Sequence, residues 1–175
     1  MLWPVTFALA LVATPIPTDT VPDWFRDHLA WITRDGGRWV ADNSAYHSGG
    51  EPWVAYGLTW TLGASGRMAH GRLFGITADG RERDFWDFVT YWDPMADRAM
   101  VVQINLGGGY GSGELRRGDG AVWELEQTFW GADGTTRHLH RETRDGDTQD
   151  SYSFTWSDGG WQPDRHYVWR WEPRP

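Results

Sequence analysis

YGSGELRRGDGAVWELEQTFWGADGTTRHLHRE, residues 110–142, is the stretch from which the fold can be read. It reads as three strands of one barrel wall, joined by Arg117-Gly118-Asp119-Gly120 and by Gly131-Ala132-Asp133-Gly134. In an antiparallel hairpin the numbers of opposed residues sum to a constant, and a loop of two or four residues makes that sum odd. Faces can therefore be followed from strand to strand. A turn at Asp133-Gly134, or over the whole of Gly131 to Gly134, puts Trp123, Leu125, Gln127 and Phe129 on the face of His138, His140 and Glu142. The same argument at Gly118-Asp119 or Asp119-Gly120 adds Tyr110, Ser112 and Glu114 to it.

The opposite face carries Leu115, Val122, Glu124, Glu126, Arg137, Leu139 and Arg141. Its two Glu and two Arg suit cross-strand ion pairs in water. By elimination Trp123, Leu125 and Phe129 point inward and take two His and two Glu with them. Buried imidazoles and carboxylates must be paired or hydrogen-bonded, so this face implies either a satisfied internal network or a ligand site. The candidate ligand-binding set is Tyr110, Ser112, Glu114, Trp123, Gln127 and Phe129, together with His138, His140 and Glu142.

Outward from this wall the chain is strand and turn. Strands are expected at 37–40, 53–62, 67–77, 84–92, 99–106, 110–116, 121–130, 136–144, 150–156 and 161–171. Asp-Gly recurs at Asp79-Gly80, Asp119-Gly120, Asp133-Gly134, Asp145-Gly146 and Asp158-Gly159, with Asp93-Pro94 filling one gap. Such regular turn chemistry between aromatic, alternating segments predicts an all-β, antiparallel up-and-down barrel of roughly 8–10 strands. Closure removes the exposed edges of an open sheet. A three-residue turn through Asp147 is expected to point Tyr152, Phe154 and Trp156 inward, because three large aromatics are costly to expose. Trp156 then pairs with Trp161, and Arg165, Tyr167, Trp169 and Trp171 follow inward.

Before the first strand, Asp23 to Ile32 has a capping residue and apolar positions at Trp24, Phe25, Leu29 and Ile32, the spacing of a short amphipathic helix that closes one end of the barrel. Asn43 to Glu51 is a polar, Gly-rich loop. Residues 1–22 read as a signal peptide and flexible leader: Met1 to Ala13 is uncharged and largely apolar, ends in small residues, and is too short to span a membrane. Residues 23–175 are then one domain. The expected location is periplasmic or secreted.

Composition narrows the chemistry. A formal charge of −8 argues against nucleic acid, whose phosphates favour clustered cations. All 16 basic residues are Arg, which removes lysine Schiff bases and phosphate-loop lysines. The absence of Cys removes thiol nucleophiles, thiolate metal sites and disulfides. Fourteen Trp serve equally as core, as a sugar-stacking platform or as the lining of an apolar pocket. No cofactor is expected; the expected partner is a small apolar or amphipathic ligand, with the protein a monomer or weak dimer.

The layout from Asp23 to Trp171, a short helix, then Gly37-Arg38-Trp39 opening the first strand, then a meander, resembles the calycin group of lipocalins, fatty-acid-binding proteins and related bacterial barrels. The resemblance implies that Trp39 closes the barrel floor against an Arg from the last strand, Arg165 or Arg170. It also implies binding of small apolar molecules before catalysis. The chain departs from lipocalins in having no Cys and no second lipocalin motif.

Three further chemistries fit the residues. His138-x-His140 places two imidazoles about 7 Å apart on one face, a spacing that metal sites use, with Glu142 or Glu114 as third ligand. Glu114 facing Glu142 suits an acid and base pair with one raised pKa, and so a hydrolase, cyclase or isomerase. Trp86, Phe88 and Trp92 alternate with Phe85, Val89 and Tyr91; an exposed row of these would suit a carbohydrate-binding module. Gly107 to Gly113 lacks the Lys of a phosphate loop and is expected to mark a bend or bulge. His28, His47, His70 and His166 stand singly and read as ordinary surface or core residues.

Overall fold

The turn chemistry is realised strand for strand. In the computed structural model, which describes residues 21–173, β1 (Arg38–Asp42), β2 (Ala55–Leu62), β3 (Met68–Ile76), β4 (Glu82–Asp93) and β5 (Arg98–Asn105) lead into the wall read above. That wall is β6 (Tyr110–Arg117), β7 (Val122–Gly131) and β8 (Gly134–Asp145); β9 (Thr148–Ser157) and β10 (Gly160–Glu172) complete the meander. Each strand pairs antiparallel with its sequence neighbour, and β1 lies between β2 and β10, so the barrel is closed. The Met1 to Ala13 segment, expected to be a signal peptide, lies outside the described residues.

The helix α1 (Asp23–Thr33) buries Phe25, His28, Leu29 and Ile32, one stripe of a 3.6-residue period. Pro22, not Asp23, holds the N-cap position, and no side chain caps it. Asp23 instead sits in the first turn, where a negative charge suits the helix dipole, and pairs with Arg26. The buried stripe packs on Trp92, Leu115 and Trp123, which makes α1 the floor of the barrel. Trp39 is 2% exposed beside it and donates to the Ile32 carbonyl at 3.1 Å. The cation over its ring is Arg34, 4.9 Å away, rather than Arg165 or Arg170.

Turn length decides which side chains face the lumen. The β7–β8 pairing opposes Gln127 to His138 and Leu125 to His140, as the odd sum requires. The β6–β7 pairing opposes Gly118 to Val122 across the three residues Asp119 to Ala121, with Gly120 left-handed at φ 69°. That odd-length loop makes the sum even. Leu115 therefore faces inward opposite Leu125, and Tyr110, Ser112 and Glu114 face outward with Trp130, Thr128 and Glu126, the reverse of the expectation for these four residues.

At the next hairpin Asp145 pairs with Thr148 across Gly146-Asp147, a two-residue turn. Tyr152, Phe154 and Trp156 are thereby directed outward, again contrary to expectation, and the short polar set from Gln149 to Thr155 faces the lumen. Trp161 joins Trp156 outside. A bulge between Pro163 and His166 then restores the inward direction of Arg165, Tyr167 and Trp169. On the outer wall Arg141 meets Glu124 at 2.7 Å and Arg137 meets Glu126 at 2.6 Å, as the alternation predicts.

The Gly107 to Gly113 run makes no bulge, since β5 and β6 pair in unbroken register. Its strand glycines instead make room. A Cβ at Gly111 would lie 2.5 Å from the Phe129 ring, and one at Gly113 would lie 1.8 Å from the Glu126 carbonyl oxygen. Backbone cannot yield as a side chain can, so Gly113→Ala is expected to destabilise the barrel by about 1–3 kcal/mol or more. A lowered urea midpoint checks this; an unchanged midpoint would mean that the two strands separate freely there.

Candidate functional site

Because α1 seals one end and the strands alternate, the inward side chains enclose a lumen of about 930 Å³. Its walls differ. β8 and β9 contribute only polar groups to it, from Thr136 through His138, His140 and Glu142 to Arg144, and from Gln149 through Ser151 and Ser153 to Thr155. Across the barrel stand Leu58, Trp60, Leu73 and Phe88 of β2 to β4, with Leu115 and Leu125 to one side. The Trp86, Phe88 and Trp92 set of β4 is thus the inward one, and a bulge after Leu73 brings Phe85 to the lumen as well.

Of the residues expected to bind ligand, Gln127, Phe129, His138, His140 and Glu142 line the lumen. Trp123 points inward but lies below it, 7% exposed in the floor. Tyr110, Ser112 and Glu114 lie on the outer wall, where Tyr110 stacks on Trp130 and Glu114 pairs with Arg116. Glu114 therefore cannot face Glu142 as an acid and base pair, nor join the histidines at a metal. Among the described residues no group of three or more His, Asp or Glu is arranged to hold a metal ion.

His138 is held at both nitrogens, by Thr136 at 3.2 Å and Thr155 at 3.3 Å. Burial pushes its pKa down, and burial together with the neighbouring His138 pushes that of His140 to about 4. Both rings are neutral at pH 7. His140, Gln149 and Ser151 form no side-chain hydrogen bond within the described residues, and the buried Gln127 Nε2 has no partner.

Deeper, Arg144 lies between the Trp31 and Trp123 rings, 4.4 and 4.2 Å from their centres. Its Nη2 donates to His28 Nδ1 at 2.9 Å, which requires the neutral ring protonated on Nε2. Burial holds His28 well below the ordinary histidine range, with the Arg144 charge acting in the same direction. Glu142 comes within 3.6 Å of Arg144, too long for a good hydrogen bond, and burial raises its pKa. Arg144 itself falls only to about 10 and stays cationic at neutral pH. His28 thus belongs to the site's base rather than to the ordinary background.

At the mouth, the Asn43 to Glu51 loop folds over the opening. Glu51 accepts two hydrogen bonds from Arg165, at 2.6 and 2.8 Å, one from Tyr56 at 2.8 Å and one from Asn43 at 3.0 Å. Tyr167 donates to Asn43 Oδ1 at 2.9 Å and accepts from Arg165 at 3.0 Å. The Arg165 bonds hold the Glu51 carboxyl down at about 2. Sequence reasoning passed over Glu51 and Arg144, which carry no local motif, and it lost Ser151 and Ser153 with the parity of β9.

No family model matches the sequence, and no curated protein shows significant similarity to it.

Two outcomes follow from this electrostatic arrangement. Arg144→Met leaves Glu142 buried beside no cation and should cost about 3–5 kcal/mol, with Glu142→Gln in the same chain recovering part of it. Chemical unfolding of the two single variants and the double variant measures the coupling. Acid should destabilise the barrel in two windows. His140 binds its proton more weakly folded than unfolded, so stability falls from the ordinary histidine range near pH 6.5 down to about 4. Glu51, depressed from 4.5, contributes stability that is lost between pH 4.5 and about 2. Melting temperature against pH should show a shallower first slope in His140→Phe, the remainder coming from His28 and His138, and a shallower second slope in Glu51→Gln; curves parallel to wild type would refute the assignments.

Proposed function

We propose that this chain is an exported, calycin-like barrel that binds one small, mostly apolar molecule with polar features in its lumen. The observation that carries the reading is the cavity itself: about 930 Å³, largely apolar over β2 to β4 and faced by the convergent polar groups of β8 and β9. Small-molecule sites have this volume and mixture. Trp60, Leu58 and Leu73 supply apolar contact, Phe129 an aromatic edge near the mouth, and Gln127, His138 and His140 the polar anchors. Export rests on the Met1 to Ala13 reading, and no helix of the described residues is long and apolar enough to cross a membrane.

An enzyme on the same barrel is the second reading, favoured by one observation: Glu142, raised by burial, follows the neutral His140 on the same inward row. Such a pair suits proton transfer, with Glu142 as acid and His140 as base. A carbohydrate-binding module has less support. The lumen aromatics are enclosed, and several outer ones are covered, Trp156 and Trp161 by Arg137 and Phe154 by Arg141.

Native mass spectrometry on protein purified gently from its own host should show excess mass that disappears on denaturation, of organic rather than ionic size. Replacing His138 and His140 with Ala should weaken retention of that molecule about tenfold while leaving the fold intact. Protein of bare mass, together with turnover of an ester, lactone or terpenoid substrate lost in Glu142→Gln, would replace binding by the enzymatic reading.

A further inference from the structure

The lumen is divided lengthwise rather than end to end. Strand order places β8 and β9 opposite β3 and β4, five positions around the ring. Every inward position of β8 from Thr136 to Arg144, and of β9 from Gln149 to Thr155, is polar. The facing wall is built mainly from Leu58, Trp60, Leu73, Trp86 and Phe88, with Arg83 of β4 at the mouth and Gln103 and Asn105 of β5 beside it as its polar members. The boundary between the walls therefore runs from mouth to floor.

This division selects among apolar ligands. A fatty acid is polar at one end only, and its hydrocarbon would lie along β8 and β9 for most of its length. His138 to Glu142 alone spans roughly 13 Å of strand, as four residues at about 3.3 Å each. A hydrocarbon against that span would leave its hydrogen-bonding groups desolvated and unpaired, which weakens binding about tenfold for each. The groups in question are available: His140, Ser151 and Gln149 line the lumen and have no side-chain partner within the described residues.

Resting on the binding reading above, we propose that the ligand is amphipathic across its width: a rigid, polycyclic molecule with hydroxyl or carbonyl oxygens along one face and hydrocarbon on the other. Its oxygens meet His140, Ser151 and Gln149, and its hydrocarbon face lies on Trp60, Leu73 and Phe88. The rings at His138 and His140 are neutral, so at their level of the wall the recognition is by hydrogen bonds rather than by charge. A molecule of this kind pairs the polar wall without burying a charge of its own.

The test uses three probes on the intact chain by titration calorimetry, below micelle concentrations. Cholate carries its hydroxyls on one face of a four-ring skeleton; 5β-cholanate has the same skeleton and carboxylate without hydroxyls; palmitate is polar at one end. Cholate should bind at least about tenfold more tightly than either of the others. His140→Leu combined with Ser151→Ala should reduce cholate affinity about tenfold and tighten cholanate, which then no longer leaves those groups unpaired. Cholanate or palmitate binding as tightly as cholate would overturn the lengthwise division while leaving a small-molecule barrel standing. Binding of none of the three would overturn the polycyclic assignment, and the co-purified mass would then judge the binding reading by itself. The comparison of probes on wild type stands even where the double variant fails to fold.

Discussion

A strand in a closed barrel has one lumen side, and the length of the turn before it decides which alternate set of residues takes that side. In this chain that constraint outranks hydrophobicity. Gly146-Asp147 is a two-residue turn, so the serines of β9 point inward and Tyr152, Phe154 and Trp156 point outward. A one-residue change in that turn would exchange them. The polar wall of the lumen, the apolar wall facing it and the aromatic exterior all follow from the turn lengths.

The exterior is tolerable because arginine covers it. Arg38 and Arg72 lie over Phe74, Arg137 over Trp156 and Trp161, and Arg141 over Phe154. A guanidinium is weakly hydrated and planar, so it can rest on a ring and still bind a carboxylate at its edge. Arg137 and Arg141 do both, reaching Glu126 and Glu124. The lack of lysine thus has a structural counterpart: an ammonium would keep its water and leave the rings bare. The same device holds the floor, where Arg34 sits among Trp31, Trp39 and Trp171 and Arg144 between Trp31 and Trp123.

The sequence carries the barrel openly, because Asp-Gly turns and alternating aromatics are local signals. All ten strands and the helix fall where those signals put them, and the Gln127, His138, His140 and Glu142 face is correct because its turn is even in length. The other half of the site was hidden for two reasons. Asp119-Gly120 looks like a two-residue turn but works within a three-residue one, which inverts Tyr110, Ser112 and Glu114. At β9 the rule that large aromatics face the core gives the wrong answer, since it presumes a dry interior and a bare exterior. Arg165, Tyr167 and Trp169 face inward because the bulge after Pro163 reverses the alternation that the two-residue turn at Gly146-Asp147 sets. Glu51 and Arg144 act through partners distant in sequence, Arg165 and His28, and no spacing reveals such pairs.

Fourteen tryptophans do not fill the lumen because most of them are used elsewhere. Trp24, Trp31, Trp39, Trp92, Trp123 and Trp171 belong to the floor and its surroundings, and Trp130, Trp156 and Trp161 to the outer wall. Against the lumen itself the strands place many small groups: Gly71, Gly75, Gly111 and Gly113 on one side, Ser151 and Ser153 on the other. Some of those glycines are occupied by a neighbour's ring, Gly71 by Trp60 and Gly111 by Phe129, which presses the aromatics flat against the wall. Serines leave their volume open. A barrel under pressure for stability alone would close that space with branched aliphatics, gaining burial and removing unpaired donors. Retaining a cavity of about 930 Å³ beside His140 and Ser151 lowers the stability of the folded chain, and a molecule that paired those groups would restore it.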